Sequence, residues 1–249
     1  MSIESKHLSV VLVETSNPLN IGAAARAMSN FGFLQLRVVN PYDVAFREAR
    51  SAVGPASSVL ANAEEYKSVA EAVADCTLVI GTTAVRHREL QHPVRRLEYG
   101  GRLIRKALAT GRVALLFGTE KTGLSNDDLS HCHWLINIST REQHISMNLG
   151  QAVAVCLYEL MRDPKKSVPA KSKKLEKPAS AGELERISSV LLETLHLSGY
   201  VNPISVASTE QRVRRMVRRL GLSSKDAELW LGMYRQILWK IKNDGGPDN

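Results

Sequence analysis

The most informative segment of the chain is residues 114–124, which read Ala-Leu-Leu-Phe-Gly-Thr-Glu-Lys-Thr-Gly-Leu. Residues 113–117 are all apolar, and such a continuous run predicts a strand of a parallel sheet that is covered on both faces. The run ends at Gly118, a residue type that lets a ligand come close to the backbone, and a polar loop follows as far as Gly123. Because open α/β sheets bind ligands beyond the carboxyl ends of their strands, we expect this loop to form the floor of a ligand site.

The loop does not match the two best-known phosphate-binding loops. A P-loop requires Lys-Ser or Lys-Thr directly after its second glycine, whereas Leu124 follows Gly123. A dinucleotide fingerprint requires three glycines, and only Gly118 and Gly123 are present here. A plain surface turn stays open as an alternative, since glycine-bounded turns are common. Beyond the loop, Ser125 with Asp128 three residues later forms the pattern of a capping box and predicts a short helix.

The composition is that of a globular protein. The chain has 249 residues, of which 44% are hydrophobic, and this length can bury the core of one α/β domain together with a smaller unit. No apolar run is long enough to span a membrane, and the N-terminus lacks the basic and apolar regions of a secretory signal. We therefore expect a soluble, cytoplasmic protein.

The cysteine and histidine positions argue against a disulfide framework and against a metal site. Cys76, Cys132 and Cys156 are odd in number and widely spaced, so we predict reduced thiols, with Cys156 in the core of a helix. His87 and His92 lie in a basic loop without the spacing of metal ligands.

Alternating strand and helix segments predict an α/β fold, in which a parallel sheet is covered by helices on both faces. The predicted strands are residues 8–14, 36–40, 77–82, 113–117 and 134–138. The predicted helices are residues 22–28, 45–53, 68–75, 97–109 and 145–161. The last helix is apolar on nearly all its faces, which indicates a subunit interface in addition to a place in the core.

The first helix begins with unusually small residues. Asn20 is its predicted N-cap, and residues 22–25 are Gly-Ala-Ala-Ala, which are small enough to let another backbone or a partner subunit approach closely. Arg26 is the large charged residue of this stretch. It either projects at a specific partner or is an ordinary surface arginine.

Past residue 163 the composition changes to Lys, Ser, Pro and Ala. We predict a first domain over residues 1–163, a basic flexible linker over 164–179 and a helical module over 180–249. Capping-box patterns at Ser180 with Glu183 and at Ser208 with Gln211 support module helices at residues 181–197, 209–220 and 224–242. The predicted core of the module is Leu191, Leu195, Val213, Val217, Leu220, Leu229, Ile237 and Leu238. The tail from Asn243 is predicted to fray.

Basic residues are clustered within a chain whose formal net charge is +8. Residues 165–177 contain six lysines and one glutamate, and residues 212–219 contain five arginines. A third basic group, residues 86–96, follows a predicted strand. Such clusters are expected of a polyanion binder, most often of nucleic acid, but they equally fit a solvated linker and an ordinary basic helix face.

Three separated segments together resemble the signature of the SpoU/TrmH branch of the SPOUT RNA methyltransferases. They are residues 20–26 (Asn-Ile-Gly-Ala-Ala-Ala-Arg), 116–124 (Leu-Phe-Gly-Thr-Glu-Lys-Thr-Gly-Leu) and 145–149 (Ile-Ser-Met-Asn-Leu) with the helix that follows. The resemblance covers residues 8–161. The opening Val-Leu-Val-Glu-Thr-Ser, the pair Arg86 and Arg88, and the helical module resemble the TrmJ type, which methylates a ribose 2′-hydroxyl at the first position of the tRNA anticodon loop.

The resemblance implies a SPOUT-type parallel sheet with a C-terminal trefoil knot, S-adenosylmethionine as methyl donor, tRNA as substrate and an obligate homodimer. The implied target is cytidine or uridine 32. The implied cofactor pocket is lined by Thr82, Thr83, Ala84, Gly118, Glu120, Ile138, Ile145, Ser146 and Met147. The chain departs from the commoner family pattern because it lacks a Pro-Met pair after Ile138 and has Met147 where leucine is usual.

Matching motif positions assign catalytic roles to Arg26, Asn20 and Ser146. The ribose hydroxyl is a poor nucleophile, so catalysis depends on alignment and on stabilising the negative charge that develops on its oxygen. A guanidinium is always protonated in proteins, and we therefore expect Arg26 to act as a cationic clamp, with Asn20 and Ser146 positioning the hydroxyl or the neighbouring phosphate. RNA contacts are assigned to Arg86, Arg88, Arg212, Arg215 and Arg219.

Two other functions stay open. One is a methyltransferase of the same family that acts on ribosomal RNA, and the helical module is the feature against it. The other is a tRNA-binding protein that keeps the fold without turnover. The joint presence of Asn20, Arg26, Glu120, Ser146 and Asn148 favours an enzyme, because a binding protein does not need this set.

Overall fold

The structure is a computed structural model that describes residues 6–50, 54, 56–84, 91–141, 146–162, 176–201 and 206–244. Its centre is a seven-stranded sheet of order β3-β2-β1-β6-β4-β7-β5, in which each pair of neighbouring strands is parallel. The strands are β1 (Leu8–Val13), β2 (Gln35–Val39), β3 (Glu64–Tyr66), β4 (Leu78–Thr83), β5 (Val94–Arg96), β6 (Val113–Phe117) and β7 (Trp134–Asn137).

Helices cover the sheet and form the C-terminal module. Those of the first domain are α1 (Pro18–Phe31), α2 (Asp43–Arg50), α3 (Ser57–Ala61), α4 (Val69–Ala72), α5 (Leu97–Leu108), α6 (Asn126–Ser130) and α7 (Leu149–Met161). Those of the module are α8 (Ala181–Leu197), α9 (Val206–Arg219) and α10 (Ser224–Asp244).

The central strands β1 and β6 are buried along their whole length, as their continuous apolar sequences predict. Alternate side chains point to opposite faces of a strand, so Val10 and Leu12 join one apolar cluster whereas Val11 and Val13 join another. The first cluster contains residues of α1, α5 and α7, and the second contains residues of α4 and α6. The predicted α/β fold is therefore confirmed. The trefoil knot stays a prediction.

Two strands are missing from the sequence prediction. β3 and β5 lie at the two edges of the sheet and have three residues each, too few to show an apolar period. Glu64 and Arg96 also give these strands a polar composition, which is common at sheet edges.

The prediction that Asn20 caps the first helix is wrong. Asn17 is the N-cap of α1, and its side chain accepts a hydrogen bond from the Leu19 amide at 3.0 Å. Pro18 opens the helix, where the missing amide hydrogen is tolerated because the first amides have no intrahelical partner. Asn20 therefore lies inside α1, and its side chain is available for contacts with other segments.

The small residues of α1 allow a close crossing with α7. A Cβ atom added at Gly150 would lie 2.5 Å from the Cβ atom of Ala23, so a larger residue at position 150 would separate the two helices. Cys156 lies buried in α7, and Cys76 and Cys132 are also buried, free thiols, as predicted.

The three module helices are confirmed, but two details of the module prediction are wrong. Ser208 lies inside α9 and is not its cap. Leu220, Leu229 and Ile237 are 43%, 63% and 47% exposed and so do not belong to the core. The core of the module is instead built from Ala179, Leu184, Ile187, Leu191, Val213, Val217 and Ala227. The error arises because α10 is apolar on more than one face, so its composition does not indicate which face points inward.

The module packs against the first domain. The amides of Ala181 and Gly182, at the start of α8, donate hydrogen bonds to the carbonyls of Cys76 and Ala74 at 2.7 and 2.8 Å. Ala181 is also part of the apolar cluster on the α4 and α6 side of the sheet.

The predicted domain boundaries at residues 163 and 179 stay a prediction, since residues 163–175 lie outside the described part of the chain. In the described part, no helix is long and apolar enough to cross a membrane.

Candidate functional site

The strand order brings the carboxyl ends of β6, β4 and β7 side by side. Gly81 pairs with Leu116, and Thr83 pairs with Asn137, so the three strands end at the same edge of the sheet. The predicted cofactor residues Thr82, Thr83 and Ala84 lie at the end of β4, Gly118 and Glu120 follow β6, and Ile138 follows β7. This edge of the sheet is where α/β folds bind ligands.

The loop after β6 folds back on itself. The amides of Thr119 and Gly123 each donate to the other residue's carbonyl, at 3.2 and 3.0 Å. A Cβ atom added at Gly118 would lie 2.1 Å from the carbonyl carbon of Gly123 and 2.2 Å from the nitrogen of Leu124. Glycine is therefore required at residue 118 by the loop's own backbone, in addition to the predicted approach of a ligand. Gly123 has a φ of +71°, a conformation that favours glycine.

A chain of side-chain hydrogen bonds joins the three segments that carry the family resemblance. Asn20, which is 9% exposed, donates through Nδ2 to Oε1 of Glu120 at 3.1 Å. Asn148 donates through Nδ2 to Oδ1 of Asn20 at 2.7 Å. The amide group of Asn20 thus holds a carboxylate on one side and a second carboxamide on the other.

Asn148 also begins α7. Its Oδ1 accepts hydrogen bonds from the amides of Gly150 and Gln151 at 3.0 and 3.3 Å, which makes it the N-cap. Ser146, which is exposed, and Met147, which is half-buried, come directly before this cap. Ile145 lies outside the described residues. This role of Asn148 was not predicted, although an asparagine directly before an apolar helix is a capping signal.

Thr82 and Thr83 hold the end of β4 against its two neighbouring strands. The hydroxyl of Thr82 donates to the Leu116 carbonyl at 2.9 Å, and the side chain of Asn137 donates to the Thr83 carbonyl at 3.1 Å. These bonds tie the ends of β6, β4 and β7 together. Ala84 is exposed and Ile138 is half-buried. This edge of the sheet therefore presents apolar side chains at residues 84 and 138.

Arg26 lies on a different side of α1 from Asn20. The exposed residues Leu19, Ala23, Arg26 and Asn30 form one stripe along the helix, whereas Asn20 faces inward. Six residues separate Arg26 from Asn20, which corresponds to about 9 Å along the axis and about 120° around it. Within one chain, the structure does not bring Arg26 into the hydrogen-bonded group around Asn20.

The arginines of α9 have two environments. Arg212 and Arg219 are exposed and Arg215 is half-buried, whereas Arg214 and Arg218 point toward the first domain. Burial, together with the neighbouring guanidinium groups of Arg219 and Arg212, lowers the pKa of Arg215, as expected for cations held close together. Arg86 and Arg88, the other predicted RNA contacts, lie outside the described residues.

Three histidines near the arginines of α9 have a lowered pKa. Burial lowers the pKa of His92, His131 and His133 to about 4 in each case, with arginine charges of α9 acting in the same direction. They are therefore neutral at physiological pH. Nδ1 of His133 accepts a hydrogen bond from the Val79 amide at 3.0 Å. Within the described ranges, no group of three or more His, Cys, Asp or Glu residues is arranged to hold a metal ion.

A family model described as the SpoU rRNA Methylase family matches residues 7–158 of this chain. The chain is also similar, over nearly its full length, to proteins that are named as tRNA methyltransferases. It is 33% identical to the tRNA (cytidine/uridine-2'-O-)-methyltransferase TrmJ of Klebsiella pneumoniae over 239 residues, which cover 93% of this chain and 96% of the relative. The protein of the same name from Sodalis glossinidius is 33% identical over 235 residues, which cover 93% of this chain and 91% of the relative.

Solved structures show the same fold. TrmJ from Z. mobilis ZM4 superposes with a TM-score of 0.79 at 33% identity, covering 92% of this chain and 98% of that one. A probable methylase family protein from Haemophilus influenzae Rd KW20 superposes with a TM-score of 0.59 at 27% identity, covering 96% of this chain and 99% of that one. These similarities extend past residue 158, where the family model ends, and include the helical module.

Proposed function

This chain belongs to the SpoU rRNA methylase family, and we propose that it transfers the methyl group of S-adenosylmethionine to the ribose 2′-hydroxyl of a tRNA nucleotide. The proposed target is cytidine or uridine 32, the first nucleotide of the anticodon loop. The observation that carries the proposal is the bonded chain of Asn148, Asn20 and Glu120, which brings the three family segments to the ligand-binding edge of the sheet.

The helical module favours tRNA over ribosomal RNA. The description of the family names ribosomal RNA, but its model ends at residue 158, before the module begins. The relatives that match the chain through the module are named as tRNA methyltransferases. A ribosomal RNA substrate is therefore the second candidate.

The edge of the sheet suits S-adenosylmethionine in its chemistry. We propose that main-chain groups of residues 84, 118, 120 and 146–147 provide donors and acceptors for the adenine and the methionyl carboxylate. Ile138 and Met147 are half-buried and provide apolar surface for the ring faces. We assign to Asn20 the role of holding Glu120 at this edge. When bound, the cofactor supplies an electrophilic methyl group.

We propose a homodimer in which Arg26 acts on the site of the partner subunit. Arg26 is exposed on a different side of α1 from Asn20, so it is directed away from the site of its own chain. Helices α1 and α7, which cross each other, also carry apolar side chains that are open to solvent. Leu19 of α1 is 80% exposed, and Tyr158 and Met161 of α7 are 54% and 42% exposed. Burying such a surface against a second copy is favourable, and it would place a cation beside the reacting ribose.

Arg26 is assigned the stabilisation of negative charge on the ribose oxygen. A guanidinium does not give up its proton at physiological pH, so it cannot serve as the base. Ser146, which is exposed two residues before the cap of α7, is assigned the contact that orients the hydroxyl or the adjacent phosphate. The hydroxyl proton passes to a phosphate oxygen or to water.

Arg212, Arg215 and Arg219 are proposed to bind RNA phosphates, together with Arg86 and Arg88. Changing the first three to glutamine is expected to weaken tRNA binding and to reduce the slope of log Kd against log salt by about one for each phosphate that is no longer neutralised. The control is Lys225→Gln, because Lys225 is 83% exposed and lies at the start of α10. An unchanged salt slope in the triple variant would contradict this assignment.

The decisive experiment is mapping of 2′-O-methyl nucleotides by mass spectrometry. RNA from cells that lack this protein is compared with RNA from cells that have it, and purified protein is incubated with S-adenosylmethionine and unmodified tRNA or ribosomal RNA. We expect the loss and restoration of one methyl group in the tRNA anticodon loop. Methylation of ribosomal RNA alone would select the second candidate, and tRNA binding without any methyl transfer would indicate a binding protein.

A further inference from the structure

Helix α9 has two arginine faces with different functions. Arg212 and Arg219 are exposed on one side, whereas Arg218 is only 3% exposed and Arg214 is half-buried on the other. Fully buried arginine is rare, since removing a guanidinium from water is costly unless charged and polar partners surround it. The inner arginines therefore need an explanation that is separate from RNA binding.

The inner arginines cross the boundary between the module and the first domain. Nη1 of Arg214 donates to Oδ1 of Asp127 at 2.8 Å and to the Ser130 hydroxyl at 3.3 Å. Nη2 of Arg218 lies 3.2 Å from Nδ1 of His131. Because His131 is neutral at physiological pH, its Nδ1 accepts this hydrogen bond from the guanidinium.

Glu185 of α8 holds both arginines in place. Its Oε1 accepts from Nε of Arg214 at 3.2 Å, and its Oε2 accepts from Nη2 of Arg218 at 2.9 Å. Burial would raise the pKa of Glu185, but the neighbouring Arg218 charge and hydrogen bond outweigh this effect and the pKa is lowered. The charged carboxylate of Glu185 thus orients both guanidinium groups toward the first domain.

The partners of these arginines lie next to the loop after β6, residues 118–123, which belongs to the proposed cofactor site. Asp127 and Ser130 belong to α6, whose capping box at Ser125 comes two residues after the last loop residue, Gly123. The capping box holds Ser125 and Asp128 together through reciprocal hydrogen bonds. Helix α9 is therefore attached to the segment that directly continues the proposed cofactor site.

We propose that Arg214 and Arg218 are positioning residues that hold the RNA-binding face of α9 at a fixed place relative to the cofactor site. This inference rests on the proposed function. The exposed arginines of α9 would then determine how tightly tRNA binds, and the inner arginines would determine where the bound ribose lies. Displacing a reactant by about 1 Å can lower the rate by roughly a hundredfold, so the two faces should affect different kinetic constants.

The test compares the same substitution on the two faces of one helix. Arg214→Gln is expected to lower kcat about tenfold or more while leaving the Kd for tRNA within about twofold of the wild-type value. Arg212→Gln, two residues away, is expected to raise the Kd for tRNA more than Arg214→Gln does. Asp127→Asn, at a side chain that is 65% exposed, removes the same cross-domain ion pair without altering the module, and should lower kcat in the same direction.

Each variant is measured with tRNA and S-adenosylmethionine as the full chain, alongside its melting temperature and its affinity for the cofactor alone. An unchanged kcat in both Arg214→Gln and Asp127→Asn would overturn the inference. So would a loss of tRNA affinity in Arg214→Gln equal to that in Arg212→Gln, because Arg214 would then be an RNA contact. If Arg214→Gln does not fold, Asp127→Asn decides. Absence of methyl transfer by the wild-type protein would instead refute the proposed function.

Discussion

Asn148→Asp would show whether the carboxamide chain is needed to hold Glu120. Asn148 has two separate tasks: Oδ1 accepts from the amides of Gly150 and Gln151 at 3.0 and 3.3 Å, and Nδ2 donates to Asn20 at 2.7 Å. Aspartate caps a helix as well as asparagine does, but it has no N–H group to donate. The substitution therefore keeps the first task and removes the second.

The expected changes in stability distinguish two variants. Asn148→Asp loses a hydrogen bond of about 0.5–1.5 kcal/mol, but its negative charge at the N-terminus of α7 restores about 0.3–1 kcal/mol, so Tm should move by less than about 4 °C. Asn148→Ala removes the cap and leaves Oδ1 of Asn20 without its donor. The resulting destabilisation is about 2–4 kcal/mol, which lowers Tm by roughly 5–15 °C.

Asn148→Asp should lower the rate of methyl transfer strongly, although it changes Tm little. In Asn148→Asp the side-chain amide of Asn20 lies between two carboxylates, those of Glu120 and of the new aspartate. Its NH2 group can face only one of them, and the other carboxylate is then left facing Oδ1 of Asn20. We expect methyl transfer by Asn148→Asp to fall by about tenfold or more at neutral pH, as the geometry of the site changes.

The measurements are Tm by circular dichroism and methyl transfer from labelled S-adenosylmethionine to tRNA at neutral pH, with the wild-type protein measured alongside. Wild-type activity of Asn148→Asp at neutral pH would refute the argument, since Glu120 would not then depend on the carboxamide chain. A Tm of Asn148→Ala equal to that of the wild type would show that the capping contribution is wrong.

Arg26→Ala should abolish methyl transfer and leave the calorimetric affinity for S-adenosylmethionine nearly unchanged, whereas equal loss of both would show that the residue is misplaced. The pKa of His92, about 4 in the free protein, should rise when RNA phosphates neutralise neighbouring charges such as that of Arg215, and an NMR titration with and without tRNA would detect this shift. The pKa of His131 and of His133 is lowered to about 4 in the folded protein. As pH falls below about 6.5, these histidines therefore bind protons in the unfolded chain before they do so in the folded protein. The free energy of unfolding should then decrease, down to about pH 4, by up to about 1.4 kcal/mol per pH unit for each histidine. Denaturant unfolding at pH 7.5 and pH 5 measures the decrease, and equal stability at the two pH values would contradict the assigned pKa values.

Most of the fold is readable from local patterns in the chain. The continuous apolar runs of β1 and β6 require burial on both faces, and the capping boxes at Ser125 and Ser180 mark the starts of α6 and α8 correctly. These features depend on residues that are close in sequence, so a single segment contains the information. The edge strands β3 and β5 have three residues each and give no such signal.

The arrangement of the site depends on contacts between distant segments. Asn20 has the sequence features of a helix cap, but 100 residues separate it from Glu120 and 128 residues separate it from Asn148, and only their packing shows that its amide joins both. The arginines of α9 form one basic cluster in the sequence. Folding separates Arg218, buried against His131, from Arg219, which stays exposed, because the sides of a helix are distinguished only by what packs against them.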